Sequence, residues 1–328
     1  MSGELPAALR SGLEALAATF PGRDLAAASA HLSADYRSGR GTRLATPVDV
    51  AAYAIARMPA TFAACAHALS EASNRAAFVP RTLLDIGSGP GTAAWAAVEA
   101  YPSLEAVRLL DSHPGMVATG RGLAAHATGV LSTAEWIGAD LRSLPPDLKA
   151  DLVVASYALN ELSAAEASRQ AAELYARCGG LLVLVEPGSK AGSAVVGAAR
   201  TALISAGGRI VAPCPADGPC PMADPDWCHF AARLPRLKAH KAAKSADVPF
   251  EDEPFSYLVV ARPGISIRPA AARILRPPRA GKPGTNYALC TPAGIETRFI
   301  ATRDREAHRL TRRLAWGDAM PPAKGEAS

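Results

Sequence analysis

Aromatic residues make up only 5% of this 328-residue chain, so a surface that reads nucleic acid mainly by stacking bases is not expected. Six cysteines are too few for a disulfide scaffold at this length. No apolar run reaches the roughly 18 residues of a spanning helix, which argues for a soluble protein without a membrane partner. The opening residues lack the basic start and apolar stretch of a secretory signal, and the acid at Glu4 is foreign to a mitochondrial presequence. A reducing, cytoplasmic setting is the expectation. A Walker-type Gly-x-x-x-x-Gly-Lys-Ser/Thr is also missing, so a phosphate cradle of that kind is not expected.

The hydrophobic fraction of 49% excludes fibrous and disordered classes, and the length corresponds to roughly two domains of about 150 residues. The net charge of +5 names no partner, but its distribution is uneven. Residues 1–200 carry 16 basic and 18 acidic groups, whereas residues 201–328 carry 19 and 12. The basic surplus is C-terminal.

Periodicity divides the chain into three regions. Residues 1–80 are alanine-rich with helical spacing, read as a helical cap over the next domain, with Thr46-Pro47 as a helix start and the basic loop Tyr36 to Gly41 before it. Arg37, Arg40 and Arg43 around this loop are candidates to meet phosphate. Residues 81–262 alternate short β-type runs, at 82–86, 107–111, 136–139, 152–156, 181–186, 209–212 and 255–261, with helical segments, the pattern of a parallel sheet. Helices are expected at 163–178, stopped by Gly179-Gly180, and at 193–206, stopped by Gly207-Gly208. With no helix between them, the last two strands are expected to form an antiparallel edge. Residues 263–328 form a basic, partly β extension ending in a helix-like stretch at 303–314, and residues 262–313 alone hold 12 basic and three acidic groups.

The first strand runs into Asp85-Ile86-Gly87-Ser88-Gly89-Pro90-Gly91-Thr92 and then a helix. Glycines at a strand-to-helix turn let the backbone approach a ligand. The alternate spacing of Gly87, Gly89 and Gly91 departs from the dinucleotide fingerprint. Asp85 would repel a pyrophosphate but attract the cationic end of S-adenosylmethionine. Asp111 ends the next strand about 20 residues on, where a carboxylate accepts ribose hydroxyls, and Asp140 follows the third strand, where an adenine amino group would be held. Asn160, after the fourth strand, is placed to line the pocket or to cap the next helix. The pattern over 81–262 resembles the class I S-adenosylmethionine-dependent methyltransferases, an α/β, Rossmann-like fold with a seven-stranded sheet and an antiparallel last strand. The Asn/Asp-Pro-Pro-aromatic motif of amino-methylating enzymes is absent after the fourth strand, and no catalytic residue is assigned.

Four cysteines are spaced unlike core residues: Cys214, Cys220, Cys228 and Cys290, separated by five, seven and 61 residues. Three sit in a Pro- and Asp-containing loop, where packing gives little reason for thiols; Cys65 and Cys178 read as core residues instead. Two Cys-Pro steps and an all-thiolate set suit a [4Fe–4S] cluster, with zinc, and His229 as a substitute ligand, as the alternative. Either would tie the basic extension to the sheet. Arg233, Arg236, Lys238, Lys241 and Lys244, then Arg268, Arg273, Arg276, Arg279 and Lys282, and the run 298–313, would together form one phosphate-tracking surface giving salt-sensitive RNA binding.

A closer resemblance rests on Tyr53-Ala54-Ile55-Ala56-Arg57-Met58-Pro59-Ala60-Thr61, the Asp85 to Gly91 turn, Ala212-Pro213-Cys214-Pro215 through Trp227-Cys228-His229-Phe230, and Leu289-Cys290-Thr291-Pro292. The chain is similar to the methyltransferase-like assembly factors of the mitochondrial small ribosomal subunit and their bacterial homologues. The resemblance implies a methyltransferase fold, association with small-subunit rRNA, no DNA, and an iron–sulfur cluster on the four cysteines. Methyl transfer to RNA is not securely implied. A small-molecule methyltransferase with structural zinc is the alternative, which the basic extension disfavours.

Overall fold

A computed structural model describes residues 3–37, 44–235 and 250–322. Three helices come first: α1 (Ala7–Ala18), α2 (Gly22–Arg37) and α3 (Pro47–Arg75). The long α3 starts at a capping box in which the Thr46 hydroxyl accepts from the Asp49 N–H and the Asp49 carboxylate accepts from the Thr46 N–H. Such a cap contributes about 1 kcal/mol. Its buried residues are mostly alanines, with Met58, Phe62 and Leu69 among them. Small side chains let the helix lie close to the sheet, and α3 shares one core with the strands instead of sitting over them as a cap.

The central sheet contains β1 (Thr82–Ile86), β2 (Ala106–Asp111), β3 (Glu135–Gly138), β4 (Ala150–Ser156), β5 (Cys178–Pro187), β6 (Arg209–Ala212), β7 (Phe230–Pro235) and β8 (Phe250–Ala261). Crossover helices α4 (Thr92–Ala100), α5 (Pro114–Ala124), α6 (Ala164–Ala176) and α7 (Lys190–Ser205) connect its strands. The order is β3-β2-β1-β4-β5-β8-β6; β8 runs antiparallel to β5 and β6, and the other pairs on this path are parallel. This is the class I methyltransferase arrangement, with its switch point between β1 and β4, where the crossovers change direction and ligands bind at the carboxyl ends.

One sequence expectation needs correction and one strand was not anticipated, while the antiparallel edge expected of the last two strands is present: β6 and β8 pair antiparallel, β6 lies outermost, and the buried second half of β8 sits between it and β5. An apolar strand of that kind needs neighbours on both sides, and periodicity does not name them. Gly179 and Gly180 do not stop a helix. They lie in β5, where a Cβ on Gly180 would fall 2.1 Å from the Phe78 ring. The strand not anticipated is β7, which pairs with the first half of β8; only Phe230 and Leu234 of it are buried, too sparse a signal to read as a strand.

Packing also reverses a local preference in α5. Alanine normally stabilises a mid-helix glycine position by about 0.5–1 kcal/mol. A Cβ on Gly120, however, would lie 2.1 Å from the Trp136 ring. Gly120→Ala is expected to destabilise the protein by about 1–3 kcal/mol in urea unfolding.

The C-terminal region forms a second, antiparallel sheet from β9 (Ala272–Ile274), β10 (Arg279–Gly281), β11 (Gly284–Thr291), β12 (Gly294–Ala301) and β13 (Ala319–Met320), with α8 (Arg305–Thr311) between the last two. Its own core is small: Ala272, Ile274, Tyr287, Leu289 and Met320. No helix among the described residues is long and apolar enough to cross a membrane.

Candidate functional site

At the switch point the chain turns from β1 into α4 through Gly87, Gly89 and Gly91, with φ of 63°, 52° and 86°. These left-handed conformations are strained for other residues. Gly87 is also sterically required, since a Cβ there would come 2.7 Å from that of Ala158. Asp85 is fully buried beneath the turn; its Oδ2 accepts from the Ala94 N–H at 3.1 Å, while its Oδ1 and the Ser88 hydroxyl have no hydrogen-bond partner among the described residues. Burial pushes the Asp85 carboxyl up to about 7, with the charge of Asp111 adding to the shift. Asp111 braces the turn from β2, its Oδ2 accepting from Gly89 N–H and its Oδ1 from His113 N–H, both at 2.8 Å. Two orphaned buried polar atoms beside glycine backbone fit a ligand with a cationic group. Asp140 stands exposed beyond β3, accepting from the Arg142 N–H at 2.7 Å. Asn160 is half-buried, its Nδ2 donating to the Tyr157 carbonyl at 3.3 Å.

Sequence reading missed the polar network beside this turn. Tyr157 follows β4 with φ of 55°, and its hydroxyl donates to Glu253 at 2.8 Å; Arg57 from α3 reaches the same oxygen at 3.3 Å. The Tyr53 hydroxyl is raised by burial within the fields of Arg57, Asp111, Glu161 and Glu253, so α3 contributes to this edge. Glu186, at the end of β5, is fully buried and accepts from the Leu159 N–H at 2.9 Å, and burial pushes it up to about 8. An acid closing an apolar strand was the available signal for Glu186; Glu253 had none, because its partners come from α3 and β4.

The four cysteines meet in space. Cys214, Cys220, Cys228 and Cys290 line one cavity of about 150 Å3 together with Arg200 and Arg273. Among the described residues, no three His, Cys, Asp or Glu side chains are grouped as they would be around an ion. The donor chemistry of the lining, four thiols bordering one cavity, nevertheless suits a thiolate-bound metal group. Burial and the neighbouring thiols push Cys228 well above the ordinary range and Cys290 to about 11. Without a metal those two thiols are therefore held protonated. His229 does not line the cavity: it stacks on Trp227 at 5.2 Å and packs edge-on to Trp316 at 4.9 Å. Cys65 and Cys178 are core residues.

The extension is also joined to the sheet by protein groups. Arg273 of β9 is 1% exposed and bonds Glu71 of α3 at 2.6 Å, the Pro213 carbonyl at 3.0 Å and the Gly317 carbonyl at 2.7 Å. Arg276 pairs with Asp226 in the cysteine loop. The phosphate-tracking surface is corrected accordingly: Arg273 and Arg276 are structural, Arg233 is bound bidentately by Asp252 at 2.7 and 2.8 Å, and Arg298 pairs with Glu296. Arg273, buried and fully paired, is not offered to phosphate, whereas Arg233 is exposed and its surface pair with Asp252 competes with phosphate only weakly. Arg279, Lys282, Arg303, Arg305, Arg309, Arg312 and Arg313 are exposed. Arg40, Arg43, Arg236, Lys238, Lys241 and Lys244 lie outside the described residues, as does the Arg37 side chain.

A family model described as mitochondrial small ribosomal subunit Rsm22 matches residues 47–321. The human mitochondrial ribosome assembly protein METTL17 is 31% identical over 288 residues, covering 82% of this chain and 62% of that protein. The mitochondrial Rsm22-cox11 tandem protein 2 of Schizosaccharomyces pombe is 27% identical over 349 residues, covering 88% and 45%. The chain thus spans less than two thirds of these relatives. Among solved structures, the magnesium protoporphyrin IX methyltransferase ChlM of Synechocystis with bound SAH matches at 16% identity and TM-score 0.42, covering 69% of this chain and 92% of that one. The cytoplasmic expectation is overturned by the relatives, which are mitochondrial proteins. Cysteine usage does not choose among reducing compartments. With the match running from the start of α3 to just beyond β13, across the glycine turn and all four clustered cysteines, the chain belongs to the Rsm22 family of the mitochondrial small ribosomal subunit.

Proposed function

We propose that the protein assists assembly of the small ribosomal subunit. In this reading it binds rRNA through its C-terminal sheet, holds S-adenosylmethionine at the glycine turn, and carries a [4Fe–4S] cluster on Cys214, Cys220, Cys228 and Cys290. The family match carries the reading, because it covers the cofactor turn, the thiol cavity and the basic sheet together. The relative named as a ribosome assembly protein supports the same assignment.

The residues divide the work. Asp85 and Ser88 would satisfy the charged end of S-adenosylmethionine, Gly87, Gly89 and Gly91 admit it close to the backbone, Asp111 accepts its ribose hydroxyls, and Asp140 and Asn160 flank it. The cluster, when bound, supplies four thiolate cross-links between the cysteine loop and β11. Wide cysteine spacing suits the larger perimeter of a cluster, while the all-thiol lining suits a cluster and zinc alike. The proposal concerns binding, not methyl transfer: after β4 stands the Tyr157–Glu253–Arg57 network, with no Asn/Asp-Pro-Pro-aromatic motif.

Anaerobic copurification tests this reading. Recovery of small-subunit RNA with a brown, iron- and sulfide-containing protein is expected; a colourless zinc protein overturns the cluster, and no RNA at low salt overturns the ribosomal role. Replacing Arg309, Arg312 and Arg313 with alanine is expected to flatten the salt dependence of RNA binding by about one unit of log–log slope for each phosphate no longer neutralised. Filter binding across salt concentrations measures it, and an unchanged slope removes α8 and its flank from the interface.

A further inference from the structure

The thiol cavity contains a charge that the described protein does not balance. Arg200, on α7, lines the cavity and is 7% exposed. Its Nη2 donates to the carbonyls of Ala216 at 2.9 Å and Gly218 at 2.6 Å, inside the cysteine loop, and it is hydrogen-bonded to Cys214. Its Nε–H is buried without a partner, and no carboxylate among the described residues pairs with it. Desolvating an unpaired guanidinium is costly, so a buried arginine of this kind normally faces an anion.

The second cation obeys the same arithmetic. Glu71 is shared between Arg75 and Arg273, both at 2.6 Å, so that triad retains one excess positive charge, and Arg273 also lines the cavity. Arg200 adds another. Arg200 and the Arg273–Glu71–Arg75 cluster behind the wall together hold two positive charges beyond what Glu71 cancels. Four thiolates around Zn2+ or an oxidised [4Fe–4S] core leave two negative charges, and a protonated thiol set leaves none.

We propose that Arg200 is the counter-cation of a dianionic, four-thiolate metal group in this cavity, its Nε–H donating to a ligand or bridging sulfur. The inference rests on the metal reading under Proposed function but assigns a residue that the cysteine pattern does not contain. Arg200 is a positioning residue. It holds the loop that carries Cys214 and Cys220 by their neighbouring carbonyls, and it lowers the cost of gathering four thiolates by placing a fixed positive charge beside them. Arg273 plays the same electrostatic part from the opposite chain segment but is committed to Glu71, which leaves Arg200 as the cation whose removal isolates the effect.

The test uses full-length protein loaded anaerobically, comparing wild type, Arg200→Met and Arg200→Lys for iron, sulfide and zinc content, release to a chelator, and melting temperature with and without metal. Arg200→Met is expected to release its metal on the order of 10- to 100-fold faster, the range for lost outer-shell partners. It should also lose most of the melting-temperature gain that metal confers. Arg200→Lys, which keeps the charge but not the Nε–H, should fall between. If the metal is a cluster, the midpoint potential of Arg200→Met is expected to fall, because a positive neighbour favours the reduced, more negative state.

A loop clamp without an electrostatic role would lower the melting temperature of apo and loaded protein equally. That result, or wild-type metal release from a folded Arg200→Met, overturns the proposal. Wild-type protein that takes up neither iron nor zinc overturns the underlying metal reading, and this inference falls with it.

Discussion

Asp85→Lys is expected to abolish S-adenosylmethionine binding, and Asp85→Asn to weaken it by about 10- to 100-fold, the value of a hydrogen bond to a charged group. Both expectations come from the position of the carboxylate: it is buried under the glycine turn with one oxygen used by Ala94 and the other unpartnered among the described residues. Lysine would put like charge beside the cofactor's cationic end. Asparagine keeps the side-chain acceptor for Ala94 but not the charge, so it separates loss of binding from loss of fold.

The raised Asp85 value gives a pH signature. A cationic ligand favours the ionised carboxylate, so binding by wild-type protein should tighten as pH rises toward and through about 7, and level off above it. The slope approaches about tenfold per pH unit on the acid side. For the free protein the sign is opposite. An acid whose folded value is raised binds its proton more tightly in the native state, so stability falls as pH rises from the ordinary carboxylate range to about 7. Asp85→Asn should therefore bind poorly, without pH dependence, yet unfold at higher urea than wild type above about pH 7. Calorimetric titration from about pH 6 to about pH 8 checks the first point; pH-independent wild-type binding would contradict this use of Asp85.

Arg273→Met is expected to destabilise the protein by about 3–5 kcal/mol, the usual consequence of removing one partner from a buried ion pair. The loss exceeds one interaction. Glu71 keeps Arg75, but the carbonyls of Pro213 and Gly317 lose buried donors, and α3, the cysteine loop and the C-terminal strand pair part at the same point. The core of the second sheet is too small to hold it in place independently. Limited proteolysis should then cut near the junction after β8, with the first sheet surviving. Equal stability in guanidinium chloride and an unchanged digestion pattern would show that the sheets are joined by other means.

Much of the candidate site was legible in the sequence, for identifiable reasons. The glycine turn and Asp85 were visible because a strand-to-helix link with three left-handed glycines is a local requirement, written in consecutive residues. Most strands were found within a few residues because burial on both faces leaves continuous apolar runs. Clustered cysteines in a proline-containing loop stood out against core cysteines by setting alone. Tyr53 and Arg57 stood out only within a family motif, and their grouping with Glu253 was not legible, since it joins α3 to β8 over 196 positions. The basic surface was overread for a related reason. Charge counts cannot distinguish an arginine drawn in against a distant carboxylate from an exposed one, and the buried Arg273 and half-buried Arg276 are of the first kind.

By itself the sequence determined the α/β class, the cofactor-type turn, the antiparallel character of the last strand of the first sheet and the family, because each is set by turn chemistry, periodicity or motif within short stretches of chain. Tertiary structure decided where that strand lies, which arginines remain exposed, that four cysteines spread over 77 positions line one cavity, and that Arg200 faces them without a carboxylate among the described residues. The physical reason is the same in each case. Strand neighbours and the pairing of buried charge depend on contacts between residues far apart in the chain, and no local pattern records which distant group has arrived.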